Sequence, residues 1–375
     1  MHKILLLLLA CTIALSGCAN TAQIEALAFA EILGVDLNDQ GSIEVCIEIP
    51  KISGQRGESS SGGSKGASNL VYSASGSSFD EALNLLQWVV PRRLDLSQIK
   101  LIVVSESLAR SDKFHRTAGT IMATPRLYTA ARLAVCSGSA KDFVSAQKPV
   151  IGTRLSSELT STFEDYIRNG YIPDETFADM YYKSKSVYSD ALAIYAESAA
   201  SEQAQAVSAI VPDSPQQADA EMQQSNRFLG AAVFRKGIMV GRLTGEEYLY
   251  CKMLRGESQT FPFSLENQTV GLATMGKPEV SVDIKAEPMK ISIGLSFSIV
   301  SSSRTAPVEK LRSALHDAFM NAIRVCTIMG AEPFDLSAHA SGSFLTIDQW
   351  EQFGWQERFM NSDIAIDIRI LSPSE

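Results

Sequence analysis

Ile43, Val45, Ile47 and Ile49 alternate with Ser42, Glu44, Cys46 and Glu48. That period of two predicts a strand with one buried face. Residues 71–74 resume the sheet. Ser78-Phe79-Asp80-Glu81 then reads as a capping box. Phe79, Ala82, Leu83, Leu86 and Val90 follow at helical spacing, and Pro91 ends the helix. The nearly unbroken apolar run 99–104 predicts a buried strand, and 127–135 predicts another. Helical spacing returns over 138–147, 156–169 and 174–184. Segments 229–234 and 238–240 flank Arg235-Lys236-Gly237 as a hairpin. Val280, Val282, Ile284 and Ala286 alternate, as do Ile291, Ile293, Leu295, Phe297 and Ile299. Pro307 takes a first-turn position. Leu311, Leu315, Ala318, Ala322, Val325 and Met329 then form one apolar helix face closed by Gly330. Ile364, Ile366, Ile368 and Ile370 make a last strand. Strands around one long helix predict an α+β protein of two domains, or three, with mixed, largely antiparallel sheets packed with helices.

Two stretches break the pattern. Residues 53–69 are Gly/Ser-rich and predict a flexible loop. Residues 198–226, rich in Ala, Gln and Ser and interrupted by Pro212 and Pro215, predict a linker or long surface excursion. They divide the chain into an N-terminal domain, 18–197, and a C-terminal domain, 227–375. The first 17 residues stand apart. Behind Lys3, residues 4–15 are apolar except for Thr12, too short a run for a bilayer, which needs about 20 residues. This suits a signal-peptide core. Leu15-Ser16-Gly17-Cys18 then matches a lipobox, so residues 1–17 are expected to be a lipoprotein signal peptide and Cys18 the lipid attachment site. Two acyl chains on Cys18 would hold the protein stably on the extracytoplasmic face of a membrane.

Composition narrows the function. With 45% hydrophobic and 20% charged residues, the 375-residue chain is neither disordered, collagenous nor a polytopic membrane protein. Its net charge of −9 opposes nucleic-acid binding, which needs a basic face. Besides Cys11 and Cys18, Cys46, Cys136, Cys251 and Cys326 are far apart; an exported protein could pair them in three ways, but they read better as separate buried thiols. His115, His316 and His339 lack metal-binding spacing. Ser97–Lys100 and Ser145–Lys148 match S-x-x-K, but neither SDN nor KTG accompanies them. Residues 36–41 resemble the opening of a calcium loop, yet Ile47 stands where a bidentate Glu is needed. A turn explains them better. Arg92-Arg93 is a small basic spot, a solvated helix end or a contact for lipid headgroups or an acidic partner. No catalytic, cofactor or metal site is expected.

Longer stretches carry a resemblance. Residues 24–29 and Gly34-Val35-Asp36 resemble the opening of a known family, although Ala19-Asn20 replace its usual Trp-Asp. Ser75-Gly76, Phe79-Asp80-Glu81-Ala82-Leu83 and Pro91-Arg92-Arg93-Leu94 continue the match. Gly230-Ala231-Ala232-Val233-Phe234-Arg235-Lys236, Val240-Gly241-Arg242-Leu243 and Glu246-Glu247 are its most specific part. Asp335, Trp350, Trp355 and Phe359 resemble the closing block, with Leu336-Ser337-Ala338 in place of Gly-Phe-Gly. Together these segments resemble the Ger(x)C family, lipoprotein C subunits of spore nutrient-germinant receptors, over nearly the whole mature chain. The resemblance implies a non-enzymatic subunit at the outer face of the spore inner membrane. It would act with an integral-membrane A subunit and a transporter-like B subunit, in receptor assembly or in the signalling that starts germination. Trp350 and Trp355 are then candidates for docking, against a plainer role in packing the last strand on the long helix. The alternative is a solute-binding lipoprotein of a transporter, which predicts βαβ alternation and two similar lobes.

Overall fold

The computed structural model describes residues 26–50, 69–147, 155–197, 227–266, 268–302 and 307–371. The signal peptide, Cys18, nearly all of the 53–69 loop, Lys148 and the 198–226 linker lie outside the described residues. Within them, β3 (Ile43–Ile49) forms where its alternation predicts. It pairs antiparallel with β2 (Ile32–Leu37) and with β4 (Leu70–Gly76). β2 runs parallel to β6 (Leu101–Ser105), which continues in parallel to β7 (Arg132–Ser137) and β8 (Ala191–Glu197). The hairpin of β9 (Arg227–Arg235) and β10 (Ile238–Thr244) completes an eight-stranded sheet ordered β10-β9-β8-β7-β6-β2-β3-β4. Lys236 and Gly237, at φ +50 and +79, make its turn. β1 (Leu27–Phe29) and β5 (Arg93–Asp95) form a separate parallel pair.

Helices cover both faces of the large sheet, which is why its central strands are apolar on both sides. On one face lie α1 (Phe79–Val89), α2 (Glu106–Ala109), α3 (Lys113–Ala123) and α6 (Phe177–Lys183), packed through Leu86, Phe114 and Phe177 on Val35, Val45 and Val104. On the other lie α4 (Ala140–Ala146) and α5 (Leu155–Arg168), packed through Phe143 and Phe163 on Cys46, Leu101 and Val103. The cap of α1 differs from the expected box. Ser78 Oγ accepts from Glu81 N at 3.3 Å, but the Glu81 carboxylate turns to Ser77 N at 2.8 Å.

The second sheet joins β11 (Thr260–Leu265), β12 (Gln268–Thr274), β13 (Glu279–Asp283) and β14 (Lys290–Ser302) by antiparallel pairing. β15 (Asp363–Leu371) lies parallel to β14, with Ile291 beside Ile364. The isoleucine strand is therefore no antiparallel partner. The chain returns to the sheet through α8 (Val308–Met329), α9 (Ser337–Ser341), α10 (Ile347–Phe353) and α11 (Trp355–Met360), and such a crossover brings it back in the same direction. α8 buries Leu311, Leu315, Phe319, Ala322, Ile323 and Cys326, while Ala318, Val325 and Met329 are only partly covered. Gly330, at φ +69, closes it as expected.

The β9–β10 hairpin departs from the division at residue 227, because it hydrogen-bonds to β8 in the first sheet. Ala232 and Phe234 belong to the first core, whereas Ala231 and Val233 belong to the core of the C-terminal half. One pleated strand is thus a wall of both cores, as the alternation of side chains across a strand allows. The fold is α+β, with mixed sheets.

Candidate functional site

A cluster of charged side chains lies where the two halves meet. On the N-terminal side, Thr176 and Asp179 cap α6 reciprocally, with Asp179 N donating to Thr176 Oγ1 at 3.1 Å and Thr176 N to Asp179 Oδ2 at 3.0 Å. Phe177 N donates to Ala131 O at 2.8 Å, which pins the start of α6 to the approach of β7. This fixes the preceding Glu175. From the other side, α7 (Gly245–Leu254) opens with a second capping box, Thr244 and Glu247, and delivers Arg255 at its end. Arg255 Nη2 donates to Glu175 Oε1 at 2.9 Å, and Lys183 Nζ donates to the same oxygen at 2.7 Å. Glu175 Oε2 accepts from Leu192 N at 3.1 Å. Asp335, at φ +59, approaches Arg255 Nε at 3.4 Å. Burial opposes the Arg255 charge, but Glu175, Cys251 and Asp335 outweigh it and hold the guanidinium pKa above its ordinary value. A cleft of about 440 Å³ opens over this cluster, lined also by Asp174, Tyr182, Tyr248 and Glu257.

Further bonds make the junction a belt. Glu332 is 1% exposed, and its carboxylate accepts from Phe334 N and Leu336 N at 3.0 Å each and from Ser337 N at 3.3 Å. Its own amide donates to Asp190 at 2.7 Å. Burial pushes the Glu332 carboxyl up to about 8, while the Leu336 and Ser337 amides pull it back. Arg235 Nη1 donates to Gly330 O at 2.7 Å, Lys252 Nζ to Ile167 O at 2.8 Å and Gln259 Nε2 to Arg168 O at 2.8 Å. Trp350 Nε1 donates to Val187 O at 3.0 Å, and its ring packs on Tyr188 and Trp355. The principal charges of the cleft are bonded to one another. The arrangement holds two halves in register, and the chemistry it suggests is mechanical coupling.

The sequence candidates fall elsewhere or into packing. Cys18 lies outside the described residues. Trp350 and Trp355 are 2% and 5% exposed, which fits the packing role and adds for Trp350 the bond across the junction. Ser97 Oγ bonds Asp95 at 2.5 Å, while the Lys100 ammonium lies over the Tyr128 ring. Of residues 36–41, Asp36 and Leu37 end β2 and the rest form the turn into β3, with Asn38 Oδ1 accepting from Ser42 N at 2.8 Å. Asp36 caps α4 through Ala140 N at 2.7 Å. Cys46, Cys136, Cys251 and Cys326 are free and buried, and burial raises the pKa of each thiol. Among the described residues, no group of three or more His, Cys, Asp or Glu could hold a metal ion. No described helix is long and apolar enough to cross a membrane. The Glu175–Arg255–Asp335 cluster escaped sequence reasoning. Its local signals were the Thr176–Asp179 box beside Glu175 and the Thr244–Glu247 box that starts α7.

Comparison with known proteins gives three findings. Residues 20–198 match the model of the spore germination protein N-terminal domain, and residues 229–371 match that of the spore germination B3/GerAC-like C-terminal domain. YfkR of Bacillus subtilis (strain 168), provisionally named as a spore germination protein, is 29% identical over 146 residues. That match covers 38% of this chain and 37% of YfkR. A crystal structure of the GerBC protein aligns with 94% of this chain and all of its own, at 14% identity and a TM-score of 0.49.

Proposed function

Because the chain belongs to the Ger(x)C family of spore germination proteins, we propose that it is the lipid-anchored C subunit of a spore nutrient-germinant receptor. The observation that carries this reading is the pair of family matches, which together span both halves and leave only the 199–228 connection between them. In this role Cys18 carries the diacylglyceryl anchor and holds the protein at the outer face of the spore inner membrane. Its partners are the integral-membrane A and B subunits. The work of the chain is non-catalytic: assembly of the receptor, or passage of its signal through the bonded junction of the two halves. The mutual pairing of the cleft charges supports coupling over capture of a solute.

Deletion of the gene tests the proposal. Spores should respond slowly or not at all to one set of nutrients while keeping viability and their response to other triggers. Normal responses in the deletion strain, with no paralogue present, would contradict the receptor role. The anchor is tested separately by metabolic labelling with a fatty-acid probe, which should mark the wild type and not Cys18→Ala.

A further inference from the structure

One face of α1 is built for a different medium from the rest of the surface. The helix buries Phe79, Ala82 and Leu86 on its inner side. On its outer side Leu85, Trp88 and Val89 stand three and four residues apart, and so side by side. They are 45%, 89% and 55% exposed. Pro91, Arg92 and Arg93 follow directly, all exposed. Gln87 fixes this corner, donating from Nε2 to Arg92 O at 3.0 Å and accepting from Leu94 N at 2.9 Å. An indole in water beside two adjacent arginines is a local reversal of charge in a chain of net −9. Tryptophan partitions to the membrane–water interface, and arginine is drawn to anionic leaflets.

The strand pairing says why the reversal lies here. β1 pairs with β5 so that Leu27 stands opposite Arg93. Cys18 precedes Leu27 by nine residues, a leash of at most about 30 Å. Trp88 precedes Arg93 by five residues, and so lies within about 18 Å of it by the same measure. A bilayer holding Cys18 is therefore within reach of this corner. Resting on the lipid-anchor reading above, we propose that Leu85, Trp88, Val89, Arg92 and Arg93 form a membrane-docking face. The indole and the two aliphatic side chains enter the headgroup region of an anionic bilayer, and the guanidinium groups pair with lipid phosphates. The docked face adds a fixed orientation to the attachment at Cys18.

The test attaches the chain to lipid without relying on the cell to do so. The chain from residue 18 onward is coupled through Cys18 to maleimide-phosphatidylethanolamine in vesicles of phosphatidylcholine and phosphatidylglycerol. The other four thiols are buried, which directs the coupling. Trp350 and Trp355 are buried as well, so Trp88 carries the response to quenchers. Brominated phosphatidylcholine should quench the coupled protein, and acrylamide should reach Trp88 less than in the uncoupled chain. Trp88→Ala should abolish both effects. Arg92→Gln and Arg93→Gln, checked for unchanged circular dichroism, should each lower the ratio of docked to undocked protein about fivefold. Trp88 left open to acrylamide and untouched by bromolipid would overturn the proposal and leave the face free for a protein partner. Failure of the anchor reading would show differently, as absent fatty-acid label in cells with bromolipid quenching intact in coupled vesicles.

Discussion

Glu48 and Glu332 are both buried, both shifted up to about 8, and distinguished by what meets their oxygens. Burial and then the Glu31 carboxylate raise Glu48, and Asn69 pulls it back only in part. Among the described residues, neither Glu48 oxygen meets a donor at hydrogen-bonding geometry. Its folded pKa lies above the ordinary 4.5, so the folded state holds the proton longer than the unfolded chain does. The contribution to stability is full below about pH 4.5 and is lost as pH rises through about 8. At 1.36 kcal/mol per pKa unit that window spans on the order of 5 kcal/mol. Glu48→Gln should flatten the fall between those pH values and raise the urea midpoint at pH 8; a lowered midpoint there would contradict the assignment. Glu332→Gln should flatten the fall too, because that carboxyl is also raised to about 8, but it should lower the urea midpoint. Three amides converge on the carboxylate, and an amide side chain must turn its NH₂ toward one of them, at a cost of about 1–3 kcal/mol. Glu175→Ala leaves Arg255 and Lys183 without their shared partner and Leu192 N without its acceptor. It should cost about 3–5 kcal/mol by denaturant unfolding, and a loss within 0.5 kcal/mol, the scale of an ordinary surface substitution, would mean that the cluster is not coupled.

At the scale of elements, the β9–β10 hairpin depends on Gly230. Its φ is +130, and a Cβ there would run into the backbone at Leu243, Thr244 and Gly245. Gly230→Ala should therefore destabilise by more than the roughly 1–3 kcal/mol of a strained backbone residue alone. An unchanged melting temperature would show that the two backbones need not approach so closely. Alternation made β13, β14 and β15 legible, because one face of each is more exposed than the other. β3 alternates in residue type although Cys46 and Glu48 are as buried as Val45 and Ile47, and the hairpin was marked by its Lys236-Gly237 turn. Alternation failed for β8, whose seven residues are all buried, so that Ala191–Glu197 carries no such pattern. It failed for α7 as well, where every residue from Tyr248 to Leu254 is buried and no polar stripe marks the helix. The direction of β15 was not legible because a period of two fixes which side chains face inward and is silent on the orientation of the partner. The charged junction was invisible for a related reason. Glu175, Arg255 and Asp335 are brought together by the packing of halves, and no local spacing relates them.

For the whole molecule, the shared strand and the belt of bonds predict joint unfolding. Calorimetry should show one transition, because melting either core strips a face of β9; two well-separated transitions would contradict this. The same sharing has a consequence in time. As the chain emerges N-terminus first, β8 can pair with β7 but stands as a bare edge, an invitation to pair with other chains. Its proper neighbour, β9, is complete only after residue 235. At about 5–20 residues per second, synthesis from residue 198 to residue 235 takes roughly 2–8 s. During that interval the half-built sheet must be shielded from its own kind.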